Sequence, residues 1–147
     1  MGDDRGMPKL GGVYDEASFF VPARQQERDE RQKILREWAE KAFGAGQAAS
    51  CAQRAVRLLE EAIELYQAAG CEPEMAHKLV DFVFSRPVGK VDQELGAVGV
   101  TALLFAEAAG LSADEVERTE MVRVLSKPIE VFTERNAAKN AAGFEAK

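Results

Sequence analysis

The residues best suited to chemistry lie in Arg57-Leu58-Leu59-Glu60-Glu61-Ala62-Ile63-Glu64. On a helix, positions three apart are neighbours, so Glu61 and Glu64 can offer two carboxylates to one hard cation, with Glu60 beside them. A further acid, Glu94, stands just before twelve residues, Leu95 to Ala106, that carry no charge. A helix that is apolar or small all round is expected to be buried on most sides. Glu94 projects onto the face of Val98, Thr101 and Phe105, so its carboxylate is expected to enter the protein at the start of a core helix. Such a group needs compensation. One source is the helix dipole with Lys90 four residues earlier; the other is a divalent cation. For Glu61 and Glu64 the alternative is a solvated face paired with Arg54 and Arg57. Two helices of an α-bundle can converge such carboxylates on Mg²⁺ or Mn²⁺, an arrangement suited to phosphoryl chemistry.

The elements that must position these acids follow from apolar spacing and punctuation. Pro22 fits the first turn of a helix over about 23–43, in which Ile34, Leu35, Trp38, Ala39 and Ala42 recur at helical spacing before Gly44 and Gly46. Trp38 lies on that apolar stripe and reads as core. A second helix opens near Ser50 and closes at Gly70, and a third starts at Pro73 and stops before Arg86-Pro87. The buried helix runs over about 91–109. Ser112 with Glu115 forms a capping box for a last helix, which Pro128 should bend or interrupt. No segment alternates with period two, so the fold class is all-α, a compact bundle of about four to five helices. Residues 1–21, rich in glycine around the apolar knot Phe19-Phe20-Val21, read as a flexible N-terminal arm. The helical domain spans 22–142, and 143–147 form a C-terminal tail.

Composition narrows the function. The chain has 147 residues and a net charge of −6, which opposes a phosphate-tracking surface for a nucleic-acid polymer. Cys51 and Cys71 have neither disulfide-scaffold density nor zinc-ligand spacing, consistent with a reducing, cytoplasmic setting. No leader pattern is apparent, and the longest apolar run is too short to span a bilayer. His77, the single histidine, has no nucleophile or second ligand near it in sequence. Gly44-Ala45-Gly46-Gln47-Ala48-Ala49 imitates a dinucleotide fingerprint but follows a helix instead of a strand, so it reads as a helix break.

The order RLLEEAIEL, a linking helix, then QELGAVGVTALLFAEAAGL resembles the MazG-like, all-α nucleoside triphosphate pyrophosphohydrolases over roughly residues 30–140. The resemblance implies hydrolysis of (d)NTPs between the α and β phosphates to a nucleoside monophosphate and pyrophosphate. It implies Mg²⁺ or Mn²⁺ held by Glu61, Glu64 and Glu94, with Glu60 and Glu61 serving catalysis. Where the family places the aspartate of its second motif this chain has Ala97, so the alternative is a catalytically impaired nucleotide-binding or interaction module. Asn136 and Lys139 are similar to an Asn-x-x-Lys element that meets the nucleotide in some members, and Lys90 is a further candidate for substrate phosphates. The resemblance also implies a homo-oligomer, most simply a dimer.

Overall fold

The computed structural model describes residues 22–147. The arm of residues 1–21, with its knot at Phe19 to Val21, lies outside the described residues. Seven α-helices follow one another: α1 Pro22–Phe43, α2 Ala45–Ala49, α3 Cys51–Ala68, α4 Pro73–Phe84, α5 Val91–Ala108, α6 Ala113–Leu125 and α7 Ile129–Lys139. A π-helical turn, Asn140–Phe144, completes the order, and no strand occurs among the described residues. The all-α class holds. The two helices beyond the expected five arise at the glycine break, where α2 fits between Gly44 and Ser50, and at Pro128, which separates α7 from α6.

Local chemistry explains the ends. The Ser50 hydroxyl accepts the Gln53 N–H at 3.2 Å, and the Ser112 hydroxyl accepts the Glu115 N–H at 3.3 Å, each satisfying a donor that the first helical turn leaves free. Gly70 and Gly110 end α3 and α5 at φ of +80° and +68°, a conformation that costs glycine little. Ser50→Ala and Ser112→Ala are each expected to cost about 1 kcal/mol, read as a lower urea midpoint at unchanged m-value.

Packing is concentrated at one end. α1 lies against α2 and α7, and α2 against α3. Ala39 and Ala42 of α1 are buried there, and Trp38 stands edge-on to Phe43 and Phe132 at centroid separations of 5.3 and 4.9 Å. The Thr133 hydroxyl donates to the Ala42 carbonyl at 2.8 Å, tying α7 to the end of α1. Gln53, almost wholly buried, accepts the Ala146 N–H at 2.8 Å, so the C-terminal tail is docked on α3. α6 is clasped to α1 by ion pairs: Arg31 reaches Asp114 at 2.8 Å and Glu117 at 2.7 Å, and Arg118 reaches Glu27 at 2.8 Å.

The expected burial of α5 is not met within one chain. Ala106 is its one buried residue, while Leu95 and Leu104 are 63% and 65% exposed. The reason is the absence of an opposing layer among the described residues: there the principal packing of α5 is against α6, and no helix makes more than marginal contact with α4. Leu79, Phe82 and Phe84 of α4 are exposed as well. Apolar surface of this extent is a mark of an interaction face.

Candidate functional site

Between α1, α3, α6 and α7 lies a cavity of about 300 Å³. Trp38, Phe43 and Phe132 give it an aromatic wall. Arg54, Arg57 and Glu61 enter from α3, Glu120 and Arg123 from α6, and Arg135, Asn136 and Lys139 from α7. The helical repeat explains the set from α3. Residues 54, 57 and 61 are three and four apart and so share one stripe, the one turned toward α7.

Ion pairs and amide bonds fix much of this wall. Glu60 accepts from Lys139 at 2.6 Å and from Arg57 at 3.2 Å, bridging α3 to α7. Arg57 also donates to the Asn136 and Asn140 side-chain carbonyls at 3.3 and 3.2 Å. The Asn136 amide donates to Gln47 Oε1 at 2.7 Å. Arg123 is held by Glu120 one turn earlier. Arg54 differs. Its guanidinium lies 5.0 Å from the Phe43 ring centroid, and its buried Nε and Nη2 have no hydrogen-bond partner among the described residues.

The residues predicted to act together are only partly gathered. Glu61, Asn136 and Lys139, far apart in sequence, line the one cavity. Glu64 instead lines a second hollow with Glu60, Ile63 and Phe144, so the stripe of α3 carries Glu61 and Glu64 into different hollows. Glu94 lies in the first turn of α5 and is exposed, with its carboxylate folded back against Gly89, where a β-carbon would collide with it. This corrects the expectation of a carboxylate entering the core: the helix that carries it is open to solvent in the single chain. Lys90 caps the start of α5, exposed and outside the cavity lining. Ala97 offers no oxygen ligand. Among the described residues no three His, Cys, Asp or Glu side chains come together to hold a metal ion.

Sequence reasoning named Arg54 and Arg57 only as partners of Glu61 and Glu64 in the alternative reading of a solvated face. Arg57 pairs with Glu60, not with Glu61 or Glu64, and both arginines line the cavity. The signal available was the R-x-x-R spacing on a helix whose flanks are apolar, together with Arg135 one residue before Asn136.

The hydrogen bond from Lys139, followed by that from Arg57, holds the Glu60 carboxyl below its ordinary value against the opposing effect of desolvation. A carboxylate depressed by folding contributes stability above its unfolded pKa and loses it as pH falls through its folded pKa. Glu60→Gln is therefore expected to lower the urea midpoint at neutral pH, with the difference from wild type closing as pH falls through the lowered folded pKa of Glu60. A pH-independent difference would rule out that charge linkage.

Comparison with family models, curated proteins and solved structures finds no match for the chain. No single helix among the described residues is long and apolar enough to cross a membrane.

Proposed function

We propose that the chain is a MazG-like, all-α nucleotide pyrophosphohydrolase that acts as a cytoplasmic homodimer on (d)NTPs, yielding (d)NMP and pyrophosphate. The observation that carries this reading is the convergence of Glu61, from the E-E-x-x-E segment, with Asn136 and Lys139, from the Asn-x-x-Lys segment, on one cavity. Lys139 is a point-charge partner for phosphate oxygens, and Asn136 offers both donor and acceptor to a sugar or base. The apolar faces of α4 and α5, uncovered in one chain, support the homodimer. Mg²⁺ or Mn²⁺ belongs to this reading through Glu61, Glu64 and Glu94. Those three do not meet within one chain, so a complete carboxylate set is a property of the assembled form.

The test is release of pyrophosphate and monophosphate from a panel of NTPs and dNTPs with Mg²⁺ or Mn²⁺. Cation-dependent release of both products is expected. No release from folded protein with any nucleotide sinks the reading.

A second reading, a nucleotide-binding or interaction module without turnover, is favoured by Ala97 and by the separation of Glu94 from Glu61 in one chain. It expects nucleotide binding without product release in the same panel.

A further inference from the structure

The charge lining the cavity does not balance. Five cations, Arg54, Arg57, Arg123, Arg135 and Lys139, line it against the carboxylates of Glu61 and Glu120. Glu60, bridging Arg57 and Lys139 from the side, adds one more negative charge, so cations still exceed anions by two. Glu120 is engaged by Arg123. Neither Arg54 nor Arg135 has a carboxylate within ion-pair distance among the described residues, and Arg54 has buried Nε and Nη2 atoms without partners. Trp38 also lines the cavity and has a buried, unpartnered Nε1. A half-buried guanidinium with two buried nitrogens and no anion beside it is unfavourable, and its neighbour Arg57 adds repulsion. Burial and then Arg57 push the Arg54 pKa down, in keeping with a cation lacking its counterion.

We propose that this cavity binds pyrophosphate through its phosphate groups, with Arg54 as the central donor and Arg135 at the mouth, and that it does so without a metal ion. Pyrophosphate brings enough negative charge to offset the whole excess of two positive charges, whereas a carboxylate neutralises one of them. A guanidinium fork suits adjacent oxygens of a phosphate, and the remaining oxygens are free for Arg135 and Lys139. The aromatic wall lowers the polarity on one side of the cavity, which strengthens the attraction there. The inference uses the cavity of the proposed function but not its hydrolytic chemistry.

Titration calorimetry in phosphate-free buffer with a chelator of divalent cations tests it, using pyrophosphate, orthophosphate and acetate at equal ionic strength. Pyrophosphate is expected to bind more tightly than orthophosphate, and acetate to bind negligibly. Arg54→Leu should weaken pyrophosphate binding by roughly tenfold or more, yet raise the melting temperature in anion-free buffer, because the unpaired buried charge is gone. Arg54→Lys keeps the charge but loses the fork, so it should fold and still bind several-fold more weakly. Arg36→Gln, an exposed cation outside the cavity lining, should leave binding unchanged. Wild-type affinity in either Arg54 variant, or pyrophosphate binding no tighter than acetate, overturns the inference. Metal-free binding through Arg54 with no hydrolysis of any nucleotide keeps it while removing the pyrophosphohydrolase reading. Hydrolysis undisturbed by Arg54→Leu does the reverse.

Discussion

Replacing Leu104 by glutamate is expected to prevent assembly of the proposed dimer while leaving each chain helical. Leu104 lies on α5 and is largely exposed, and Val100, one turn earlier, is exposed on the same side. Neither lines the hollow that α5 forms with α6. In a symmetric dimer the substitution acts twice, because the same patch is used by both copies. Burying one leucine is worth about 1.5–3 kcal/mol, so two copies lose about 3–6 kcal/mol before the cost of desolvating the new carboxylates. That corresponds to roughly two to four decades in the dissociation constant. Sedimentation velocity over a concentration series measures it, with far-ultraviolet circular dichroism as the check on helix content. A wild-type chain that remains monomeric at every concentration refutes the dimer, and a variant that assembles like wild type removes α5 from the interface.

Glu61→Gln is expected to separate turnover from anion binding. The substitution keeps the shape of the side chain and removes its charge, so the cavity between α3 and α7 is preserved. If Glu61 serves hydrolysis, cation-dependent release of pyrophosphate from nucleotides should fall by at least about a hundredfold, since even groups that merely support a metal ligand are worth ten- to a hundredfold. Metal-free pyrophosphate binding should move the other way, because a negative charge lining an anion cavity repels its ligand. Unchanged affinity or modest tightening is the expected result in calorimetry. Equal losses in both measurements would point to a damaged cavity instead of a lost functional group. Glu94→Gln provides the contrast: exposed at the start of α5 and outside the cavity lining, it should leave metal-free binding untouched while turnover is lost.

Both results bear on the same physical situation. One end of the chain is organised, with Trp38 held between Phe43 and Phe132, and Glu60 bridged to Arg57 and Lys139. The other end presents α4 and α5 with their apolar residues uncovered. Stability measured on the whole chain will therefore depend on protein concentration if the dimer forms, since assembly stabilises the folded state by mass action.

Helix identity and helix ends were legible in the residues themselves. Pro73 begins a helix, Ser50 and Ser112 cap others, Gly70 and Gly110 stop them, and Pro128 divides α6 from α7. These are local effects, decided by a side chain within a few residues of the backbone group it satisfies or forbids. The meeting of Asn136 and Lys139 with Glu61 also agrees with the motifs read from the chain. Tertiary structure alone decided the rest. A uniformly apolar segment such as Leu95 to Ala106 specifies that a surface must be covered, but not whether its own chain supplies the cover. The same limit applies to Arg54 and Glu94. Helical spacing gives the direction in which a charge leaves its own helix, whereas burial and pairing depend on what other helices place opposite. For Arg54 that is Phe43 beneath the guanidinium and, among the described residues, no carboxylate; for Glu94 it is the backbone at Gly89 and solvent.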